Sequence, residues 1–419
     1  MTALRVAVVH TDPLPGEKAG SLTVARSAAG LADNDTGVVL IMRDGGDTLE
    51  QALRAIELEP PEGLSVLRLA SYGPFSVRHT GWFARGVTRA LLRLPEAEAP
   101  DVILVRNLKL AVHLLRLRDG FSLRRRLPGV PIAYEAHNWY GDLERKWADR
   151  MDLVPGDKLR SEERLSRLER RLLPRIDGLV ALTQPMLELM AGDLRPGVSS
   201  AVAPMSTETP EHLAPVSREP VLVYVGQLHC HKGIDVAIRA LLELPTSVRL
   251  QVVGGPERVG ELRALAQSLG LASRVELLGL QPHPVVVREL RRARIGLLPL
   301  LDCFYNRYLT SPVKLFEYGA AGLCVVGSRL PAVEACGRDE QELLLVEPGD
   351  PAALAAAVRR ILDEPELESR LRTSLWRRCR AWGWNQRGEV LRSLCEAAVE
   401  SYRTRVRSSS TTACTSSRR

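Results

Sequence analysis

The run Ser311-Pro312-Val313-Lys314-Leu315-Phe316-Glu317 sets a cation and a carboxylate three residues apart. Ser311 is a good N-cap residue and Pro312 suits the first helical position, so a helix is expected to start here, with Val313 in its first turn. The free N–H groups of such an end attract anions. Lys314 beside them costs ~0.3–1 kcal/mol unless an anion lies between. Glu317, on the same face, can accept hydrogen bonds from vicinal sugar hydroxyls while Lys314 meets phosphate. The same spacing also fits an ordinary surface Lys–Glu pair worth ~0.2–0.5 kcal/mol, and the pattern alone leaves both readings open.

A second cation occupies an equivalent place. An apolar strand at 221–225 runs into Gly226-Gln227-Leu228-His229-Cys230-His231-Lys232-Gly233 and then a helix. Gly226 permits close backbone approach, and Lys232 again sits by a helix start. The chain has six lysines, and two of them fall at matching positions in one half, which favours a diphosphate site.

Other signals are thinner. Gly20, in the turn after the first strand, lets backbone amides approach a phosphate, although an ordinary strand-to-helix loop fits equally well. His137 ends a strand at 131–134 and is read either as structural or as a group that bonds a sugar or moves a proton. The G-x-G-x-x-G spacing of a dinucleotide site is absent both after the first strand and at Val253-Gly254-Gly255. Adjacent residues in His229-Cys230-His231 point different ways, so no metal site is expected. The seven cysteines are scattered, without a C-x-x-C pair, which argues for reduced thiols.

The elements that must carry these residues alternate between short apolar strands and helices. Strands are expected at 5–9, 38–42, 65–69, 102–105, 131–134, 178–182 and 200–203. A second set follows at 221–225, 249–253, 274–277, 295–299, 324–326 and 343–346. Helices near 20–32, 76–94, 108–118, 158–173 and 185–191, and again through the second half, separate the strands. The fold class is therefore α/β, with two doubly wound parallel-sheet domains and ligands expected beyond the carboxyl ends of the strands. Residues 1–205 form the first domain, 206–220 a proline-punctuated linker, and 221–383 the second domain. A last helix covers 384–404, and the Ser/Thr-rich 405–419 is expected to be a disordered tail.

At 419 residues with a formal charge of +7, the chain is soluble in composition and carries its cation excess almost wholly on arginine. Arg116, Arg118, Arg124, Arg125 and Arg126 form one cluster that could attract an anionic surface. A second, from Arg164 to Arg175, is interleaved with Glu162, Glu163 and Glu169 and reads as a solvated helix face. No nucleic-acid partner is expected. The first residues lead straight into a strand without a signal-peptide layout, which suggests a cytoplasmic protein, in peripheral contact with the inner membrane face if the arginine clusters bind lipid.

Taken in order, Gly226, Lys232-Gly233, Val253-Gly254-Gly255, 275–280, 293–299 and Ser311 to Tyr318 resemble the family 4 glycosyltransferases of the GT-B fold, in the subgroup with Ser-Pro-x-Lys-Leu-Phe-Glu. The first half is similar more loosely, through Val105-Arg106-Asn107 and Tyr134-Glu135-Ala136-His137. The resemblance implies two Rossmann-like domains facing across a cleft. It further implies a retaining transferase that uses a nucleotide-diphospho-sugar, with no metal or other cofactor, and a hydroxyl acceptor on a glycan, a lipid-linked or a small molecule. Lys232 and Lys314 would bind the diphosphate and act in catalysis with His137. Glu317 would hold the ribose, Gly254 and Leu280 would lie near the base, and Gly20 and His137 near the sugar. Gly226, Gln227, Ser311 and Val313 would complete the donor site, and the last helix would cross back to the first domain. Three departures stand out: Gln227 where an arginine is common, Leu309 eight positions before Glu317 where a glutamate is common, and Pro204-Met205-Ser206-Thr207 in place of an Asn-Gly turn. They keep two alternatives in view, a nucleotide-sugar epimerase of the same fold and a degenerate binding module.

Overall fold

Why the chain builds two sheets is visible in its central strands, which are apolar runs buried on both faces, as parallel strands covered by helices must be. The computed structural model describes residues 3–14, 19–55, 58–70, 80–120, 129–142, 146, 156–216, 219–311 and 313–416. Lys18, Pro312 and the trio Arg124, Arg125 and Arg126 lie outside them. The chain divides into two compact units, residues 1–205 with 384–419, and residues 206–383.

The first unit holds strands β1 (Arg5–Leu14), β2 (Gly37–Asp44), β3 (Leu64–Leu69), β4 (Val102–Val105), β5 (Ile132–Ala136), β6 (Gly178–Ala181) and β7 (Ser199–Val202). They are all parallel, in the order β3-β2-β1-β4-β5-β6-β7, so the winding direction reverses between β1 and β4. Helices α1 (Ala19–Ala32), α2 (Leu49–Ala55), α3 (Thr80–Leu91), α4 (Leu108–Asp119), α5 (Gly156–Leu172) and α6 (Gln184–Ala191) cover it. Sequence reasoning missed α2. Its signal was a capping box: Thr48 N–H donates to Gln51 Oε1 (3.0 Å) and Gln51 N–H donates to Thr48 Oγ1 (3.2 Å).

The second unit holds β8 (Val221–Val225), β9 (Arg249–Val253), β10 (Val275–Gly279), β11 (Ile295–Leu298), β12 (Cys324–Ser328) and β13 (Leu344–Val346). The order β10-β9-β8-β11-β12-β13 is again all parallel and reverses between β8 and β11. Its helices are α7 (Ile234–Ala240), α8 (Val259–Ser268), α9 (His283–Arg292), α10 (Val313–Ala320), α11 (Pro331–Glu334), α12 (Pro351–Asp363) and α13 (Pro365–Ala381). Apolar clusters fill both faces of the sheet, one around Leu222, Ile238 and Val358, the other around Val223, Leu315 and Leu375. The linker is tied to α13: Arg372 donates to Ala214 O (2.7 Å) and Arg380 to Glu211 O (2.8 Å).

The final helix, α14 (Trp384–Ser416), belongs to the first unit. It crosses α1 at two glycines, and there is no room for a side chain on either. A Cβ on Gly30 would lie 2.2 Å from Trp384 O, and one on Gly388 would lie 2.0 Å from Gly30 O. Next to that crossing the fully buried Arg387 donates to Glu135 Oε1 (2.6 Å), Ser27 Oγ (3.2 Å) and the carbonyl of Ala203. Further along, Arg405 pairs with Asp177 (2.7 Å), a buried carboxylate that also takes Arg118 (2.6 Å) and the Ile132 N–H (2.9 Å). The helix continues to Ser416, which corrects the expectation of a disordered tail from 405. Arg405 anchors its last third, and propagating a formed helix costs far less than nucleating one.

Burial opposes the charge on Glu135, yet Arg387 and Arg106 outweigh it and hold the carboxyl far below its usual range. The stabilisation is therefore present above the ordinary carboxylate range and is lost only in strong acid. Replacing Arg387 by Leu removes one of two cations facing a buried carboxylate, and the expected loss is about 3–5 kcal/mol in urea denaturation. A loss under about 1 kcal/mol would show that the pair is not structural.

Candidate functional site

The second unit gathers most of the expected site at its reversal point. Strands β8 and β11 are neighbours there, so the loops leaving their carboxyl ends flank the crevice where open parallel sheets take ligands. Lys232 ends a short 3-10 turn, Cys230–Lys232, in the loop after β8. Lys314 lies in the first turn of α10, which follows the β11 loop through a π-helical turn, Tyr305–Leu309.

One backbone oxygen ties those loops together. His231 O accepts from Leu301 N–H (3.0 Å) and from Asn306 Nδ2 (2.7 Å). Asn306 is fully buried, donates also to Leu301 O (2.8 Å) and accepts from Thr310 Oγ1 (3.0 Å). Gly233 closes the contact, because its φ of 66° is left-handed and a Cβ there would fall 1.8 Å from Pro299 O. Neither Asn306 nor its role was legible in the sequence. An asparagine in a polar loop ordinarily reads as a turn residue.

Lys232 is the more enclosed cation. Burial pushes its pKa down to about 8, with Cys303 acting weakly the other way. Its ammonium lies 5.6 Å from the centre of the Tyr305 ring, which also meets the His231 ring edge-on at 5.3 Å. His229 stacks on His231 at 5.5 Å. Among the described residues no group of three or more His, Cys, Asp or Glu is close enough to hold a metal ion.

Lys314 and Glu317 pair with each other at 2.6 Å, each about a third exposed. Such an exposed i,i+3 pair is worth only ~0.2–0.5 kcal/mol, so a doubly charged anion can displace the carboxylate cheaply. Ser311 does not cap α10 as expected: its Oγ is buried with no partner among the described residues, and its carbonyl accepts from Val313 N–H (2.8 Å). At the ends of the neighbouring strands, Gly226 N–H donates to Val253 O and Gly254 N–H to Gly279 O. Gly254 sits at φ 144°, where a Cβ would strike Gly226 O at 1.7 Å, so the two backbones touch. Gln227 O accepts from the Tyr224 hydroxyl (2.7 Å), while Leu280, beyond β10, is 80% exposed.

Two expected residues belong to the first unit. Gly20 lies in the first turn of α1. His137 follows β5, with Nε2 2.7 Å from Glu135 Oε1 and 2.8 Å from Arg106 Nε. Burial and Arg106 lower its pKa to about 4, against the pull of Glu135, so the ring is neutral at physiological pH. Arg106 also donates to Thr23 Oγ1 (3.2 Å) and is itself brought down to about 10 by burial, partly offset by Glu135. The part played by Arg106 and Arg387 was not foreseen, since both are distant in sequence from His137.

Two family models cover most of the chain, one for a glycosyl transferase 4-like domain over residues 20–204 and one for glycosyl transferases group 1 over residues 219–364. Both halves of the chain thus match glycosyltransferase family models. The chain is 28% identical over 199 residues to D-inositol 3-phosphate glycosyltransferase 1 of Catenulispora acidiphila, covering 44% of the chain and 46% of that protein. The chain thus spans less than half the length of that relative. With the D-inositol 3-phosphate glycosyltransferase of Nocardiopsis dassonvillei, identity is 25% over 434 residues, 94% of the chain and 95% of the relative. Among solved structures, Anabaena HepE in complex with UDP and glucose superposes with a TM-score of 0.65 at 14% identity, covering 94% of this chain and all of that one. The two-domain GT-B fold is thereby shown.

Two titrations check these electrostatics. The His137 ring signals should stay constant in NMR from pH 5.5 to 8 and move only near pH 4. The side-chain signals of Lys232 should move as pH rises through about 8, well below the ordinary lysine range.

Proposed function

We propose that this protein is a retaining glycosyltransferase that moves a sugar from a nucleotide-diphospho-sugar to a hydroxyl acceptor without a metal ion. The observation that carries the reading is the placing of two lysines at the sheet's reversal point, Lys232 on the loop after β8 and Lys314 at the start of the helix after the β11 loop, with the two loops locked through His231 O. The complex of HepE with UDP and glucose supports a nucleotide-sugar donor, and the named relatives support an acceptor bearing free hydroxyls. Neither family model describes an epimerase, and both accord with transfer.

In this reading the diphosphate sits between Lys232, Lys314 and the start of α10, near the orphaned Ser311 Oγ and the amide of Val313. Lys314 exchanges its carboxylate partner for phosphate, and Glu317, so released, accepts from the ribose hydroxyls. Gly226, Gln227, Gly254 and Leu280 border the nucleoside. As the sugar–phosphate bond breaks, its electron pair passes to the departing phosphate oxygen, where the two ammonium groups stabilise the growing charge. The acceptor oxygen forms the new bond on the same face and gives its proton to that phosphate oxygen. Neutral His137 bonds a sugar hydroxyl, and Gly20 lines the same region. Leu309 cannot supply the carboxylate common at its position, so sugar selection falls to other groups.

No described helix is long and apolar enough to cross a membrane. The reading places the enzyme in the cytoplasm, acting on glycan, lipid-linked or small-molecule acceptors, with peripheral contact at the inner membrane face. Lys232→Ala and Lys314→Ala should each lower turnover by roughly 10²–10³ in a nucleoside-diphosphate release assay. Anomeric protons of the product, followed by NMR, should show the donor's configuration. Full activity in both lysine variants would overturn the diphosphate assignment, and inverted product would overturn retention alone.

A further inference from the structure

The outer face of one helix layer in the first unit has no task in the reading above. Helices α3, α4 and α5 pack side by side, α3 on α4 and α4 on α5, outside the apolar cluster that α1 and α14 form on the sheet. Phe83, Val87 and Leu91 turn α3 inward, which leaves Trp82, Arg85 and Arg89 exposed, followed by Leu92 and Arg93 in the next turn. These positions repeat at helical spacing and make one stripe. There is no acidic residue in α3. Trp82 is 42% and Leu92 53% exposed, two of the few large apolar side chains left in water among the described residues. The Arg85 guanidinium stacks over the indole at 5.0 Å.

On α5 the expectation of a mixed, solvated face is corrected. Glu162 and Glu169 turn inward: Glu162 pairs with Lys146 at 3.1 Å, and Glu169 accepts from Tyr140 N–H at 2.7 Å. Outside lie Arg160, Arg164, Arg167, Arg170 and Arg171, with Ser161 and a single carboxylate, Glu163, among them. Arg116 is exposed on α4 between the two stripes.

We propose that this layer is a docking surface for an anionic lipid bilayer, with α3 as its inserted edge. Arginines spread over three parallel helices meet a flat array of phosphate headgroups. An indole and a leucine on the cationic stripe of α3 have apolar surface to lose only where acyl chains lie behind those headgroups. A soluble acidic partner would account for the arginines and leave Trp82 and Leu92 in water. The inference deepens the peripheral membrane contact proposed above and gives it a location, but it does not rest on donor binding or transfer, so vesicle binding without either substrate tests it alone.

The full chain should co-sediment with vesicles of 30% phosphatidylglycerol in phosphatidylcholine and not with phosphatidylcholine alone, and binding should weaken in 0.5 M salt. Arg85→Gln, Arg89→Gln and Arg93→Gln together should lower the partition coefficient about 100-fold, at roughly 1 kcal/mol per basic residue near such a surface. Trp82→Ser with Leu92→Ser should lower it several-fold at unchanged net charge. All five positions are exposed, and an unchanged circular dichroism melt establishes that the variants fold. Undiminished vesicle binding by the charge variant would overturn the proposal. So would binding to heparin or an acidic peptide with none to the anionic vesicles, or indifference to the serine pair.

Discussion

The carbonyl oxygen of His231 is the contact on which the second unit's site depends. It joins the loop after β8 to the loop after β11 through two donors, one from the backbone and one from a buried asparagine. A parallel sheet brings its strand ends near one another at the reversal point, but it does not fix the loops. Fixing them needs hydrogen bonds that water cannot replace, and Asn306, sealed from solvent, supplies them. With both loops held, the ammonium of Lys232 is held in place as well, which is what a preorganised electrostatic site requires.

The first unit solves a different problem with similar means. Glu135 is a carboxylate in the interior, and its burial is offset by Arg106 and Arg387 from two sides. Burial, and then the first of these cations, keep His137 neutral, a donor and acceptor of hydrogen bonds rather than a charge. Charge is concentrated where it is paired, and the group left at the surface is mild.

Much of this was legible in the sequence because it is written locally. The thirteen strands among the described residues lie where strands are expected, most of them on runs of apolar β-formers, and the lysines stand where glycine and proline punctuate strand-to-helix turns. What escaped was set by partners far along the chain. Ser311 has the chemistry of a cap, yet its hydroxyl finds no donor to accept from in the turn that forms. Glu162 and Glu169 look solvated beside their arginines, and only the packing of α5 shows which way they turn. Arg387, in a helix of ordinary composition, gains its meaning from Glu135, some 250 residues away. Residues 405 to 416 carry a disordered composition but extend a helix that Arg405 has already fastened.

The crossing of α1 and α14 also bears on how the protein is born. Gly30 and Gly388 meet backbone to backbone, so the first domain to leave the ribosome lacks a wall until the last helix has been made. Until then Glu135 lacks one of its two cations and the apolar face that receives Leu391, Leu394 and Cys395 is bare. The second domain, continuous in the chain, can close first, so synthesis order and folding order are reversed. While residues 206–383 are being translated, the nascent first domain is a natural client for a chaperone.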